Sequence, residues 1–429
     1  MQRAIVFGCG KMCKDVYPKL LEEYSIVALS DNNDVLWGKT INELGFGEGG
    51  VLVVPPTEII ANLGDGIVII CVFEGKKEIF KQLKNMGVKR ISALIDGVCA
   101  DYDIETGDFW GDYYRQLPVL PEQLEIALTG YCNLKCPYCL AHSEFYKYPL
   151  KKKHMSWEIL HEITRQLSTI SSLETLVLCG LGEPLLNPEW FEMAKQLIYE
   201  TSMKNIDLST NGMLLNEENV EKLISLNCEM TIKVSIDGNS PQEHEFWRKG
   251  SSYSLVKKNV NHAIKNMKSC TIRFVLRGLS LVPYELGIQS KWHEVEEYFG
   301  KCGEYLRYDF PHSNVSVTHV GIEPAFGALP GTVIKRFNAD TQNTNCNLPF
   351  KRISINHLGD IMNCNIYSGR KIIGNVMLCD LYDTWLNNSL MISLREEFRK
   401  GSSLEMCKLC HMIPGEREWL AEAEVNKSV

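Results

Sequence analysis

At 429 residues, with 45% hydrophobic and 23% charged content, the chain is long enough for two or three domains and has the balance of a water-soluble globular protein. A net charge of −8 argues against a nucleic-acid footprint, which needs a basic field. No stretch approaches the ~18 apolar residues of a membrane span, and the opening Met-Gln-Arg-Ala-Ile-Val-Phe-Gly turns to glycine too early for a signal peptide. Lys151-Lys152-Lys153 is a short basic run that reads as solvated surface.

Residues 1 to about 98 read as alternating strand and helix, within a first domain expected over 1–115. Strands are expected at Ala4–Phe7, Ser25–Ser30, Val51–Val54, Ile67–Val72 and Arg90–Leu94, with helical spacing clearest over Lys14–Glu23 and Lys77–Met86. This is the βαβ pattern of a small doubly wound parallel sheet. Its first turn, Gly8-Cys-Gly-Lys-Met-Cys13, is a G-x-G-x-x-G pattern with Cys13 in place of the third glycine. Asp31 stands where a ribose-binding acid would end the second strand. Gly8, Gly10 and Asp31 are therefore candidate ligand-binding residues, beside the plainer reading of a fold relic or oligomerisation module. Asp101–Gln116 reads as a linker.

A second α/β region runs over residues 116–330. Strands are expected at Leu124–Leu128, Leu173–Leu178, Ile206–Leu208, Met230–Val234, Thr271–Leu276 and Tyr305–Asp309. Polar segments follow them: Cys179-Gly-Leu-Gly-Glu-Pro184, Ser209-Thr-Asn-Gly212 and Ser235-Ile-Asp-Gly238. A parallel barrel gathers its chemistry in this way at the carboxyl ends of its strands. With about six strands countable, an open partial barrel is expected rather than a closed eightfold one.

Sixteen cysteines in such a chain read as metal ligands and buried small hydrophobes rather than disulfides, which implies a reducing, cytoplasmic setting. Seven fall into two spaced groups, and the others, Cys71, Cys99 and Cys228 among them, stand where burial is the ordinary explanation. The first group is Cys132, Cys136 and Cys139 in Tyr131-Cys-Asn-Leu-Lys-Cys-Pro-Tyr-Cys139. Three thiolates on one loop suit a cubane iron–sulfur cluster with one iron left open to a small molecule. The alternative is a structural zinc completed by a remote residue, although zinc knuckles usually use paired CxxC arms.

The spacing CxxxCxxC, with the strand-end segments behind it, resembles the radical S-adenosylmethionine (radical SAM) superfamily across Leu124 to about Ala325. The resemblance implies that Cys132, Cys136 and Cys139 ligate a [4Fe–4S] cluster and that Tyr138 packs by the adenine of S-adenosylmethionine. It implies further that Gly180, Gly182 and Glu183 receive the methionine ammonium, with Leu181 standing where the family has a glycine. Ser209 and Asn211 match polar positions after the third strand, while Ser235 and Arg248 match groups that hold the ribose or the methionine carboxylate. These types suit a ligand presenting an ammonium, a carboxylate, a sulfonium and a ribose diol.

The region 331–429 carries the second group, Cys346, Cys364, Cys407 and Cys410, with a hairpin expected around Ile353–Ile355 and His357-Leu-Gly-Asp360. It resembles the twitch domain, a shortened SPASM domain, which implies one auxiliary [4Fe–4S] cluster; a structural Cys₄ zinc site has the same ligand count. The first 115 residues resemble the small Rossmann-like domain at the front of some carbohydrate-pathway proteins, where the crevice holds a nucleotide-activated sugar. Together the resemblances imply reductive cleavage of S-adenosylmethionine to a 5′-deoxyadenosyl radical, fed by a flavodoxin- or ferredoxin-type reductant. The expected substrate is a small molecule, a sugar, cyclitol or nucleotide sugar, oxidised at a secondary alcohol. Arg277 and Asp309, at expected strand ends, are the candidates for orienting it. The rivals are carbohydrate epimerisation or dehydration, peptide or protein maturation, and a non-catalytic iron–sulfur scaffold. Cys228, Cys270 and Cys302 are expected before or at strand starts, and Cys179 beside the methionine-binding segment. None is placed as the hydrogen donor an epimerase needs.

Overall fold

The computed structural model describes residues 1–47, 49–72, 75–95, 98–102, 109–136, 139, 152–180, 182–237, 240–267, 270–277, 309, 315–320, 332–334, 346–364, 371–400, 404, 407 and 423–425. They fall into two compact units, Met1–Pro118 with Glu396–Ser402, and Val119–Arg395 with Ser403–Val429.

In the first unit the strands are β1 (Gln2–Phe7), β2 (Tyr24–Ser30), β3 (Val53–Val54), β4 (Ile67–Ile70), β5 (Ile91–Ile95) and β6 (Val98–Asp101), in sheet order β3-β2-β1-β4-β5-β6. All neighbours are parallel except β5 and β6. β4 and β5 are buried at every residue, as strands covered on both faces must be, which is why they read as unbroken apolar runs. The helices are α1 (Lys11–Glu23), α2 (Ile59–Leu63), α3 (Lys76–Asn85) and α4 (Trp110–Gln116). The segment Asp101–Gln116 is thus not a linker throughout: it holds the end of an antiparallel strand and a helix whose Tyr113 and Tyr114 are fully buried. Its Asp and Gly content hid two aromatic anchors.

The second unit is built on β7 (Gln123–Ile126), β8 (Thr175–Leu178), β9 (Asn205–Thr210), β10 (Glu229–Ile236), β11 (Cys270–Arg277) and β12 (Val315–Val320), six parallel strands in succession. Helices α5 (Trp157–Leu167), α6 (Trp190–Glu200), α7 (Glu217–Ser225), α8 (Pro241–Trp247) and α9 (Tyr253–Asn266) alternate with them. β13 (Thr332–Ile334) pairs with a late strand at Ala423–Val425. Beyond β7 the sheet continues through β14 (Arg352–Ile355), parallel to β7, and then antiparallel β15 (Asp360–Met362) and β16 (Ile372–Asn375). The expected hairpin around Gly359 is therefore present, and it extends the barrel sheet.

One strand differs from the sequence expectation. Asp309 has helical backbone and the sixth strand is Val315–Val320; Tyr305–Tyr308 lie outside the described residues. The apolar and aromatic residues of Tyr305-Leu-Arg-Tyr-Asp309 read as a short strand, whereas Val315-Ser-Val-Thr-His-Val320 is β-branched at four of its six positions. In β9 and β10 alternate residues are buried. Ile206, Leu208, Ile232 and Val234 form the covered face, leaving Asp207, Ser209, Lys233 and Ser235 on the other, half-buried face.

Candidate functional site

The cysteine loop leaves the carboxyl end of β7 and is pinned by its backbone. Tyr131 N–H donates to Thr129 Oγ1 at 3.0 Å, Gly130 N–H to Lys153 O at 2.9 Å, Lys135 N–H to Lys249 O at 2.8 Å and Cys139 N–H to Cys136 O at 3.0 Å. Leu134, Cys136 and Trp247 form one buried apolar cluster, against which Cys132, Cys139 and Met213 pack. Burial pushes the Cys132 thiol up to about 11, against the opposing Leu134 N–H. Loading a metal here must therefore displace protons.

Among the described residues no three His, Cys, Asp or Glu side chains converge tightly enough to hold one ion. A cubane cluster asks something else, three thiolates spread over three irons on one loop, and an all-sulfur donor set suits iron. Cys132, Cys136 and Cys139 meet that demand by type and placement. Tyr138 lies outside the described residues.

The segment after β8 passes directly beneath this loop. Gly180 has φ +143°, and a Cβ there would sit 2.5 Å from the Ala127 Cβ. At Gly182 a Cβ would run into the Thr129 carbonyl oxygen and lie 2.6 Å from the Tyr131 carbonyl oxygen. Gly180 is thus demanded by its positive φ and the Ala127 methyl, and Gly182 by close backbone approach. Glu183 N–H then donates to Tyr131 O at 2.9 Å, locking the two segments together. Leu181 lies outside the described residues.

Glu183 is 3% exposed. Its Oε1 accepts from Thr210 Oγ1 at 2.8 Å and from Leu185 N–H at 3.3 Å, and its Oε2 accepts from Asn211 N–H at 2.8 Å. Burial raises its carboxyl above the usual range; the three donors and the nearby Arg248 charge pull the other way. Asn211, also buried, donates from Nδ2 to Asn133 Oδ1 at 2.8 Å, tying the end of β9 to the cysteine loop. Ser209 and Ser235 are half-buried at the carboxyl ends of β9 and β10.

Arg248 is held by Asp237, which follows β10, with Nε to Oδ2 at 2.8 Å. Beneath the pair lies His244, fully buried, whose Nδ1 accepts the Asp237 N–H at 3.4 Å and whose Nε2 lies 2.9 Å from Ser251 Oγ. Burial, with help from the Arg248 charge, lowers its pKa to about 3. It is therefore neutral, and with Nδ1 accepting, Nε2–H donates to Ser251. Cys132, Cys136, Gly182, Glu183, Asn211 and Arg248 thus share one connected network. Asp237, Thr210, Asn133 and His244 support it without having been singled out in the sequence. An Asp-Gly after a strand reads as a turn; the signal that could have found Asp237 is its place at a strand end before the helix that carries Arg248.

Other expected residues stand elsewhere. Arg277 ends β11. The Asp309 carboxylate accepts from Tyr253 Oη at 2.8 Å and Lys257 Nζ at 2.5 Å, so both its oxygens are engaged on α9. In the first unit Asp31 Oδ2 accepts the Cys9 N–H at 2.8 Å and Oδ1 the Asn33 N–H at 2.9 Å, while Gly8 has φ +109° and Gly10 caps α1. Cys13 is fully buried in the core with Cys71, filling the helix–strand contact of the missing third glycine. Cys346, Cys364 and Cys407 are partly buried; Cys410 and Cys302 lie outside the described residues. A cavity of about 1090 Å³ opens among Glu174, Lys204, Asn227, Glu229 and Met267, at the amino ends of β8–β10. None of the expected site residues lines it, and the strand-end chemistry lies at the opposite end of the sheet.

Residues 126–284 match the Radical SAM superfamily model. The chain is 29% identical over 143 residues to a GTP 3′,8-cyclase of Peptoclostridium acidaminophilum, covering 33% of this chain and 42% of that protein. It is 32% identical over 129 residues to an AdoMet-dependent heme synthase of Methanosarcina barkeri, covering 30% and 34%. It therefore spans less than half the length of these curated relatives. Among solved structures, BtrN in complex with AdoMet and 2-DOIA aligns at 16% identity with a TM-score of 0.41, covering 69% of this chain and 94% of that one. Among the described residues no helix is long and apolar enough to cross a membrane.

Proposed function

We propose that this chain, a radical SAM superfamily enzyme by its domain at residues 126–284, removes hydrogen from a carbinol carbon of a sugar, cyclitol or nucleotide-linked sugar, with net two-electron oxidation of the alcohol. The family's cofactors are a [4Fe–4S] cluster and S-adenosylmethionine, and together they supply, on one-electron reduction, a 5′-deoxyadenosyl radical able to take hydrogen from an unactivated carbon. The observation that carries the reading is the cage around Glu183: a buried carboxylate with three donors, roped through Tyr131 and Asn211 to the cysteine loop.

Within that frame Cys132, Cys136 and Cys139 ligate the cluster. Glu183 takes the ligand's ammonium, which offsets the burial of its charge. Arg248, aimed by Asp237, takes the carboxylate, while Ser209, Asn211 and Ser235 offer hydrogen bonds to the ribose diol. Gly180 and Gly182 leave the backbone room to approach. Tyr138 packs by the adenine. Arg277, ending its strand, is the better candidate for orienting the substrate; Asp309, engaged by Tyr253 and Lys257, supports α9. Cys346, Cys364, Cys407 and Cys410 hold an auxiliary [4Fe–4S] cluster able to accept the second electron. The domains are read as 1–115, 116–330 and 331–429, the first binding a nucleotide sugar through Gly8, Gly10 and Asp31. A flavodoxin- or ferredoxin-type protein supplies the electron.

The cyclases named for GTP share about a third of this chain with it. Their name favours a nucleotide-linked substrate over a bare cyclitol; carbohydrate epimerisation or dehydration and peptide or protein maturation are the alternatives. The test is anaerobic turnover of candidate nucleotide sugars in deuterium oxide, read by mass. Loss of two mass units with formation of 5′-deoxyadenosine supports the dehydrogenase. Deuterium retained at carbon in an unoxidised product overturns it in favour of an epimerase, and absence of 5′-deoxyadenosine with every substrate restores the scaffold reading.

A further inference from the structure

Trp247 ends α8 and is 4% exposed, although its neighbour Phe246 is 59% exposed. The burial is specific. Its ring joins Leu134 and Cys136 in one apolar cluster, with Cys132, Cys139 and Met213 packed on it. The residues that follow are fastened to the same loop: Lys249 O accepts the Lys135 N–H at 2.8 Å, and a Cβ at Gly250 would lie 3.5 Å from Asn133 O. Trp247 is thus built into the wall of the cysteine loop.

Its indole Nε1–H is buried and finds no acceptor among the described residues. A buried N–H without a partner forfeits its hydration and gains nothing in return, so Phe would fill the same place at less cost. Tryptophan is the residue whose buried N–H ordinarily has a partner. The side-chain groups in this cluster able to accept are sulfurs, and a bound cluster would add inorganic sulfide.

We infer that Trp247 donates its indole N–H to the sulfur shell of the iron–sulfur cluster held by Cys132, Cys136 and Cys139, and so raises that cluster's reduction potential. The assignment rests on the functional reading above. A hydrogen bond to a cluster sulfur stabilises the more negative, reduced state, so removing it makes the cluster harder to reduce. Trp247 is in this sense a tuning residue: it favours electron entry without moving the ligand set.

The test uses the full-length chain, reconstituted anaerobically with iron and sulfide. Trp247→Phe keeps an aromatic ring, and benzothienylalanine at position 247 keeps the whole bicyclic shape while replacing only N–H by sulfur. The site cluster is identified as the electron paramagnetic resonance signal that S-adenosylmethionine alters, and its midpoint is found by potentiometric titration. Expected is wild-type iron content with about a tenfold smaller reduced-to-oxidised ratio at a given potential, a downward shift of about 59 mV for one electron. An unchanged midpoint in the benzothienylalanine protein, with its iron retained, overturns the inference alone. A wild-type chain that takes up no iron, or whose signal ignores S-adenosylmethionine, overturns the functional reading and this assignment with it.

Discussion

Arg248 Nε lies 2.8 Å from Asp237 Oδ2, and the two side chains are only 7% and 1% exposed. Such a pair costs desolvation that good geometry barely repays, yet losing one partner strands a charge. Asp237→Ala should lower the free energy of urea unfolding by about 3–5 kcal/mol. It should also weaken S-adenosylmethionine binding, because Arg248 loses its aim. Asp237→Ala combined with Arg248→Met should restore much of the stability and none of the binding. A double variant as unstable as the single one would show that the pair does not carry the cost.

In the proposed site the pH dependence of ligand binding turns on Glu183. Burial raises its carboxyl above the ordinary 4.5. Below the raised value the group is neutral and offers an ammonium no counter-charge. The sign for the free protein follows: the folded state holds this proton more tightly than the unfolded chain, so the contribution is stabilising at low pH and is lost as pH rises through the raised value. Bound ammonium reverses the balance. Thermal stabilisation by S-adenosylmethionine should therefore grow with pH across a window above 4.5, and Glu183→Gln should flatten that growth and weaken affinity roughly tenfold or more. Equal slopes in the two proteins would remove Glu183 from the ammonium site.

Two glycines make opposite predictions. At Gly182 a Cβ meets two backbone carbonyl oxygens, which cannot swing aside, whereas at Gly10 it meets nothing within 4 Å. Gly182→Ala should push the Glu183 segment off the cysteine loop and cut iron retained after reconstitution, while Gly10→Ala should leave iron content and melting temperature as they are. Gly10→Trp in the full chain should abolish nucleotide-sugar binding by filling the crevice without disturbing the sheet. Calorimetric heat unchanged in Gly10→Trp would take the ligand away from that turn.

Much of this was readable in the sequence because the informative groups are local. Glu183, Ser209, Asn211 and Ser235 each stand within a few residues of an apolar strand, so strand order alone lines them up. The supports were not readable for the opposite reason. Arg352 on β14 donates to Gln123 Oε1 at 2.8 Å and to the buried Glu125 on β7 at 2.9 Å, across more than 220 residues of chain. No short-range signal relates them, and with that pairing went the fact that the late hairpin continues the barrel sheet. Helix α4 was hidden by turn-rich neighbours, since the anchors Tyr113 and Tyr114 lack a full amphipathic repeat around them. Asp309 has helical backbone instead of strand; periodicity over five positions does not distinguish the two.

The second metal site makes the last prediction. Cys346, Cys364 and Cys407 stand in partly buried places, and Cys410 follows three positions after Cys407. If all four bind a [4Fe–4S] cluster, anaerobic reconstitution should load roughly eight irons per chain across the two sites. Replacing Cys132, Cys136 and Cys139 together by Ala should remove about half of that iron and all cleavage of S-adenosylmethionine, because the auxiliary site offers no open iron. Replacing Cys407 and Cys410 should remove the other half and leave cleavage in place, while product formation from the alcohol stops for want of the second electron acceptor. Metal analysis finding one zinc and no iron in the Cys132, Cys136, Cys139 triple variant would make the site structural. The proposed oxidation would then have to send its second electron elsewhere.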